Sequence, residues 1–482
     1  MRLSTLDLAI ILAYLAGITL FGIHFRKTQK NIVDYFLGAR NIPWWAICLS
    51  IVAAETSTLT IVGTPALAFL SNLGFLQLVL GYVLGRFLIA ALFIPEYFKG
   101  DFITAYQWIE RRLGSRVKSA AAAIFLVTRG LAEGVRVFAI SLVVSVALGT
   151  GELTSIILIS LITLLYTFEG GMRAVIWTDV VQTAMYLGGG VVVFVTLLHG
   201  IPGGWTSIAA VAGSGGDKLR VFDFAFSLTR HYTFWSGLLG GLFLTMASHG
   251  TDQLIVQRLL AARSRREGQL ALVVSGFIIL AQFGLFLVVG VMLYAHYRQL
   301  PPIAAGNPDR LLPGFVVSEL PQGLAGLLIA SILAAAMSNL SAALNSLASS
   351  SAVDVLRLTH SNRYTPGQTL RVARWLTILW GAVLIGLALM ASRWGSVLEA
   401  GLTIASIPYG SLLGLFLLAR LSAANERGAL VGMAAGLAVV LYVKFCTPIA
   451  WTWYVLIGTV ATFLTGYVVS LFWRPKREES ST

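Results

Sequence analysis

Long apolar runs alternate with short polar segments along almost the whole chain. A helix needs about 20 mainly apolar residues to cross the hydrocarbon core of a bilayer. Several runs exceed that length, so we expect tilted, kinked or broken helices there. The pattern predicts an all-α polytopic membrane protein with about thirteen transmembrane helices, at residues 6–25, 43–69, 75–98, 117–148, 153–168, 175–198, 234–260, 269–297, 323–353, 370–392, 397–420, 428–445 and 451–473.

The composition agrees with a chain embedded in lipid. Only 11% of the residues are charged and 57% are apolar, whereas soluble proteins carry about 25% charged residues. This excludes a soluble enzyme, a disordered protein and a secreted disulfide scaffold. Cys48 and Cys446 both fall in apolar segments and form no CxxC motif. The N-terminus lacks the features of a signal peptide, so residues 6–25 are interpreted as a retained span.

The net charge of +13 is explained by topology. With the N-terminus outside, most Lys and Arg residues fall in cytoplasmic loops, Arg258 among them, as the positive-inside rule requires. This predicts a cell (plasma or inner) membrane protein with a cytoplasmic tail at 474–482. No basic stretch suits nucleic acid. No loop holds a catalytic domain, and no GxxxxGK[ST] phosphate loop occurs, so ATP-driven transport is disfavoured.

The span at 43–69 contains polar residues that disfavour a continuous helix. Between Ala53 and Pro65 it carries the acid Glu55, five hydroxyl side chains, Gly63 and Pro65. Gly and Pro interrupt a helix, and Ser and Thr compete for its carbonyls. We therefore predict a broken helix whose freed carbonyls can bind a small cation near the bilayer midplane. The alternative is a kinked structural helix with Ser and Thr packed against its neighbours.

Three charged residues share one face of the span at 117–148. Arg129, Glu133 and Arg136 are spaced i, i+4 and i+7. One acid does not neutralise two guanidinium groups, and the surplus positive charge suits a bidentate clamp on a substrate carboxylate. Alternatively, an arginine snorkels or pairs with Asp179, Glu55 or exposed carbonyls. Both interpretations stay open.

Two further polar segments interrupt apolar runs. Ser338, Ser341 and Asn345 form a one-sided polar stripe among small residues. Residues 245–253 form a second Gly-containing interruption, and paired interruptions in two halves indicate an inverted-repeat transporter. Within it, His249 is either a proton carrier or gate, or a buried neutral histidine. Arg86 has no evident partner.

Three segments resemble motifs of the sodium:solute symporter family, which includes sodium-coupled sugar, proline, iodide, monocarboxylate and sialic acid transporters. Residues 251–258, TDQLIVQR, are similar to its TDQxxVQR segment, and 170–182, GGMRAVIWTDVVQ, to its GGxxAVxWTDxxQ segment. Residues 335–346 resemble its AxMSSLxSxLNS helix. The resemblance implies a secondary active symporter, not an enzyme, that imports a small organic solute by alternating access with Na+ as the coupling ion.

The resemblance also implies a LeuT-like fold with two inverted five-helix repeats. One transporter domain, 1–473, would comprise an extra N-terminal helix at 6–25, repeats at 43–198 and 234–420, and two extra C-terminal helices at 428–473. The lipid bilayer and a small-molecule substrate are the implied partners. The oligomeric state is left open.

The family's sodium ligands map onto named positions of this chain. Carbonyls at the first helix break and carbonyl and hydroxyl groups of the eighth core helix hold the central ion, and the matching positions are Ala53, Thr56, Ala335, Ser338 and Asn339. A second sodium in some members would use Asp179 and Ser341. Proline transporters carry an acid at the position of Glu55, which supports an ion-linked role. Asn339 replaces a motif serine and Ala342 replaces a second-site serine, so one sodium per cycle is favoured.

The family's substrate contacts match Thr60, Gln77, Thr245, Ser248 and His249. Sugar transporters place a lysine at the position of Ile279 and aromatic gates at those of Ser248 and His249, which disfavours a sugar or polyol here. The cluster of Arg129, Glu133 and Arg136 instead favours a carboxylate, such as a monocarboxylate, an amino acid or a sialic-acid-like molecule. Proton coupling through Glu55 or His249 is the main alternative. A transporter-derived sensor or channel is a remote one.

Overall fold

The computed structural model describes residues 3–25, 31–148, 150–299, 301, 308–358, 365–391 and 397–473. The expected cytoplasmic tail at 474–482 lies outside the described residues. Five basic residues of the predicted loops also lie outside them, namely Arg26, Lys27, Lys30, Arg363 and Arg393.

The described chain is helical, with one isolated bridge between Ile42 and Ala262. The first ten α-helices are α1 Thr5–His24, α2 Ile32–Leu37, α3 Trp44–Glu55, α4 Thr58–Leu70, α5 Leu76–Leu92, α6 Ile94–Tyr97, α7 Ala105–Leu113, α8 Ser115–Leu148, α9 Glu152–Gly200 and α10 Gly204–Ser214. The others are α11 Phe234–Gly250, α12 Gln253–Leu260, α13 Arg265–Tyr297, α14 Leu311–Glu319, α15 Leu324–Ser350, α16 Pro366–Ala391, α17 Val397–Leu421, α18 Glu426–Cys446 and α19 Tyr454–Phe472.

These helices account for the predicted spans. In the described part of the chain, nine segments are long and apolar enough to cross a membrane, and the bent pair α3 and α4 makes a tenth. The other predicted spans correspond to α8, which carries five charged residues, to the 17-residue α11 with α12, and to the first half of α9. The all-α polytopic architecture predicted from the hydrophobic pattern is confirmed.

The predicted spans at 153–168 and 175–198 differ from the structure in one respect. They are two halves of α9, which turns sharply at Gly171 without a separate loop. Gly171 has a φ of +54°, and a Cβ there would lie 2.7 Å from the carbonyl oxygen of Tyr35. The backbone conformation and the close approach both require glycine at this position. A single glycine therefore makes the kink, in place of the loop expected between the two predicted spans.

Both predicted helix interruptions are present. Helix α3 ends at Glu55, α4 begins at Thr58, and their axes differ by 62°. The second interruption separates α11 from α12, where the Asp252 side chain accepts a hydrogen bond of 2.9 Å from the Leu254 N–H. This is an N-cap, which satisfies a donor that the new helix start leaves unpaired.

Helix α15 lies at the centre of the molecule and packs against α1, α8, α9 and α16. The span from Leu324 to Val355 is 94% buried. Its serines and asparagines are therefore enclosed by protein instead of facing lipid. Polar groups that cannot reach water must find partners inside the protein. Helix α15 finds one of them at the first helix break, where Asn339 donates to the Ala54 carbonyl.

Candidate substrate and sodium sites

A cavity of ≈ 140 Å³ lies between the two broken helices. Six of the eight residues predicted to contact substrate line it: Thr60, Arg129, Arg136, Thr245, Ser248 and His249. The cavity thus combines hydroxyl groups with positively charged groups. Among the described residues, Glu133 and Gln77 are not part of its lining.

Arg86, for which the sequence offered no partner, forms an ion pair with Glu55. Its Nη2 also lies 3.2 Å from His249 Nε2, and His249 Nε2 lies 3.3 Å from Glu55 Oε2. The Ser248 hydroxyl is 2.8 Å from His249 Nδ1. Arg86 is fully buried, whereas Glu55 borders the cavity. The cluster joins α5 to both helix breaks and neutralises Glu55 inside the membrane.

The surplus positive charge expected for Arg129, Glu133 and Arg136 is absent, because a second acid joins the cluster. Glu133 Oε1 lies 3.2 Å from Arg129 Nε and 2.7 Å from Arg136 Nη1. Asp252, at the second helix break, adds another carboxylate, with Oδ2 3.7 Å from Arg129 Nη1. The sequence spacing could not reveal this acid because it comes from a distant helix. The cluster therefore holds two acids for two arginines.

The two arginines differ in their access to the cavity. The side chain of Arg129 is 7% exposed and contacts both acids, while that of Arg136 is 23% exposed. Within the described part of the chain, Arg136 makes its polar contacts, to Glu133 and Asn339, through Nη1. A guanidinium has five N–H donors, so Arg136 keeps donors for a ligand in the cavity.

The first helix break leaves oxygen atoms available next to α15. The N–H of Ser57 would continue the α3 helix by donating to Ala53, but it donates to Thr60 Oγ1 at 3.3 Å. Asn339 Nδ2 donates to the Ala54 carbonyl at 2.8 Å. This bond places Asn339 next to Ala53, the residue before Ala54, so two of the predicted sodium residues are neighbours at the break.

The remaining predicted sodium residues lie around this point. The Thr56 hydroxyl pairs with Gln282 of α13, whose Nε2 donates to it at 2.8 Å. Ser338 precedes Asn339 on α15, and Ala335 lies one turn before them on the same face. All of these side chains are buried. Carbonyl, hydroxyl and amide oxygens are the ligands that a hard cation prefers.

Asp179 and Ser341, predicted for a second sodium, have other partners. Asp179 accepts a hydrogen bond of 2.6 Å from the Ser338 hydroxyl and one from the Ser50 hydroxyl, and Arg258 Nη2 lies 2.9 Å away. The Ser341 hydroxyl donates to the Ser338 carbonyl at 2.9 Å. A guanidinium thus supplies the positive charge next to Asp179.

The position of Arg258 corrects the charge assignment made from sequence. The topology predicted from sequence places it with the cytoplasmic loops, near the end of the predicted span at 234–260. In the structure it is fully buried near the end of α12, and its Nε donates to Ser50 Oγ at 2.8 Å. The positive-inside pattern rests on the other loop residues.

Gln77, expected among the substrate contacts, lies at the start of α5 beside a different cavity. Its Nε2 donates to the carbonyls of Gly74 and Tyr232, each at 3.1 Å, and its Oε1 accepts from the N–H of Asp223 at 3.0 Å. The contacts with Asp223 and Tyr232 hold the loop before α11 against the N-terminal end of α5. The cavity beside it has a volume of ≈ 350 Å³ and is open and polar.

The aromatic part of the central cavity was not predicted from the sequence. Phe75, Tyr82, Phe283 and Tyr409 line it, and the rings of Phe75 and Phe283 stack with centroids 5.2 Å apart. Aromatic residues in apolar runs carry no local signal that separates a cavity wall from a lipid-facing surface. Tyr409 also donates to Asp252 Oδ2 at 2.7 Å, linking α17 to the second break.

Comparison with known proteins identifies the family. The model of the sodium:solute symporter family matches residues 35–436. The chain belongs to this family. The symporter is 29% identical to a sodium/sialic acid symporter of Aliivibrio fischeri, over 97% of this chain and 93% of that protein. It is 29% identical to the human sodium/iodide cotransporter, over 90% of this chain and 68% of that protein.

A solved structure agrees with the architecture. The substrate-bound, outward-open state of a Na+-coupled sialic acid symporter matches with a TM-score of 0.89 and 28% identity, over 98% of this chain and 99% of that chain. The LeuT-like fold and the membership predicted from the motifs are confirmed. The protein is a multi-pass membrane transporter, not an enzyme, and it couples symport of a small organic solute to Na+.

Proposed function

We propose that this symporter imports a small carboxylate-bearing solute, and that a sialic acid is its substrate. The observation that supports this most directly is the exposure of Arg136 to the cavity, with guanidinium donors left for a ligand. A carboxylate accepts two parallel N–H donors from one guanidinium, a geometry that a neutral hydroxyl does not offer.

The rest of the lining suits a polyhydroxylated molecule. Three hydroxyl-bearing residues, Thr60, Thr245 and Ser248, line the cavity together with the apolar rings of Phe75 and Phe283. A sialic acid combines a carboxylate with several hydroxyl groups and an apolar ring face. The relatives with sialic acid in their names span nearly the whole chain, which adds support for this substrate over a simple monocarboxylate.

For the coupling ion, we propose Ala53, Thr56, Ala335, Ser338 and Asn339 as the sodium ligands. Ala53 and Thr56 lie at the first helix break, and Asn339 of α15 donates to the Ala54 carbonyl there, which supports this set. The second set, Asp179 and Ser341, is less suited to a cation because Arg258 already pairs with Asp179. One sodium ion per transport cycle follows from that difference. Glu55 is the ion-linked acid beside the break, held by Arg86.

In our proposed topology the N-terminus lies outside the cell and the C-terminus in the cytoplasm. The distribution of basic loop residues supports this orientation. One transporter domain over 1–473 contains the repeats at 43–198 and 234–420. Labelling of single cysteines placed in opposite loops of intact cells tests the orientation.

Proton coupling is the second candidate, and the contact between His249 and Glu55 in the cavity favours it. A proton-coupled transporter would accumulate solute under a pH gradient without sodium. Replacing Glu55 by Gln would then abolish pH-driven uptake, whereas in a sodium symporter it would change sodium affinity. If Glu55→Gln altered neither property, the ion-linked role of Glu55 would be wrong.

Thermal unfolding of the purified symporter tests the proposed substrate. A ligand that binds only the folded state raises the unfolding temperature. We expect N-acetylneuraminic acid to raise it in sodium and much less in potassium. The methyl ester of the same compound, which lacks the free carboxylate, is the matched control and should have a smaller effect. Equal shifts for acid and ester would contradict recognition of the carboxylate.

A further inference from the structure

Arg136 connects the substrate cavity to the sodium residues. It lines the cavity, and its Nη1 donates to Asn339 Oδ1 at 2.9 Å. On its other side, Asn339 donates from Nδ2 to the Ala54 carbonyl at 2.8 Å. One buried amide thus contacts the cavity arginine and the helix break.

Asn339 is one of two positions, with Ala342, at which the chain departs from the family motif, which has a serine at each. The amide extends further from the helix than a serine hydroxyl, and that reach accounts for its contact with Arg136. The amide oxygen is also the only atom by which the Asn339 side chain can bind a cation, because its nitrogen is a donor. The Arg136 contact therefore falls on a proposed sodium ligand.

A guanidinium on this oxygen opposes sodium binding in two ways. It uses acceptor capacity of Oδ1, and it places a positive charge next to the cation site. Repulsion between like charges is strong in a buried setting, where water screens them poorly. Glu133 holds Arg136 in this place through the 2.7 Å ion pair.

We propose that Arg136 blocks Asn339 in the solute-free symporter, and that a bound carboxylate draws the guanidinium away and frees Asn339 Oδ1 for sodium. Arg136 is then the residue through which solute and sodium raise each other's affinity, since such coupling is reciprocal. The release of Arg136 by a bound carboxylate rests on the proposed function. The block of Asn339 by Arg136 can be tested without identifying the solute.

The solute-free test is a sodium titration of the purified full-length protein, read by its unfolding temperature, with ionic strength kept constant by potassium. Arg136→Gln should lower the half-saturating sodium concentration by about fivefold or more, the lower range of typical coupling. Arg129→Gln is the matched control. It removes the same charge from the same helix face but leaves the Asn339 contact intact, so its effect should be much smaller.

A double mutant separates direct blocking from a general charge effect. Asn339→Ser breaks the contact from the other side, and in that background Arg136→Gln should change sodium affinity little. An unchanged half-saturating concentration in Arg136→Gln, or an equal change in Arg129→Gln, would overturn the inference. Asn339→Ser alone should also lower this concentration, so it provides the test if Arg136→Gln does not fold.

Adding N-acetylneuraminic acid separates this inference from the proposed substrate. In the wild type, the solute should lower the half-saturating sodium concentration, and Arg136→Gln should abolish this response. If the solute has no effect on the wild type but the solute-free result holds, the proposed substrate fails and the block at Asn339 stands. If the solute binds but Arg136→Gln leaves sodium binding unchanged, the block fails and the proposed function stands.

Discussion

Arg86 on α5 forms an ion pair with Glu55 at the first helix break, and His249 at the second break contacts both residues. The two helix interruptions that define the site are thus connected by charge as well as by packing. A charge buried without a partner is costly, so each member of the pair depends on the other.

Glu55→Gln should destabilise the folded protein. The change leaves the fully buried Arg86 without its carboxylate, and removing one partner of a buried ion pair costs about 3–5 kcal/mol. Thermal or denaturant unfolding in detergent measures the loss. The double variant Glu55→Gln with Arg86→Gln should recover part of the stability, because no uncompensated charge remains. If the double variant were less stable than either single variant, the pairing would not explain the loss.

Arg136→Gln should weaken carboxylate binding more than Arg129→Gln does. Arg136 is the more exposed guanidinium, whereas Arg129 is held by Glu133 and Asp252. Loss of a charge-assisted hydrogen bond costs about 1.5–3 kcal/mol, which corresponds to at least a tenfold loss of affinity. Isothermal titration with N-acetylneuraminic acid and its methyl ester measures this. Equal losses for acid and ester would indicate a structural role for Arg136.

Ser338→Ala should raise the sodium concentration that gives half-maximal uptake. The change removes a proposed oxygen ligand, and a loss of about 1 kcal/mol corresponds to about fivefold. Ser341→Ala is the control, since the Ser341 hydroxyl donates to the Ser338 carbonyl within α15. Uptake measured over a range of sodium concentrations compares the two variants. An unchanged sodium dependence in Ser338→Ala would reject its assignment as a ligand.

Gly171→Ala should destabilise the kink in α9. Its positive φ and the short approach to Tyr35 leave no room for a Cβ, and such strain costs about 1–3 kcal/mol. Gly188→Ala, in the same helix with nothing within 4 Å of the added Cβ, is the control. Unfolding temperatures of the two variants make the comparison. If Gly171→Ala were as stable as Gly188→Ala, the kink would not require glycine at position 171.

Local sequence signals predicted the helices and both breaks. The apolar runs gave the helices, and the Gly, Pro, Ser and Thr residues near Glu55 gave the first interruption. The neighbours of buried charges were harder to predict. Arg86 and Glu55 lie on different helices, and Asp252 reaches Arg129 from the second break. Such pairs depend on how helices pack, which no single segment encodes.

Residues next to the end of a helix were the least predictable. Arg258 follows an apolar run but lies inside the protein with Asp179. Gln77 occupies the first turn of α5 and binds backbone groups of neighbouring loops instead of lining the central cavity. In both cases the residue type suited the expected role. The direction of the side chain, set by tertiary packing, decided its actual contacts.

Uptake into proteoliposomes tests the central claim most directly. The symporter is reconstituted, and labelled N-acetylneuraminic acid is supplied with an inward sodium gradient or with potassium at the same membrane potential. We predict accumulation above equilibrium with the sodium gradient only, and loss of that accumulation in Arg136→Gln. Equal uptake in potassium, or sodium-driven uptake that Arg136→Gln leaves intact, would contradict sodium-coupled transport of a carboxylate recognised by Arg136.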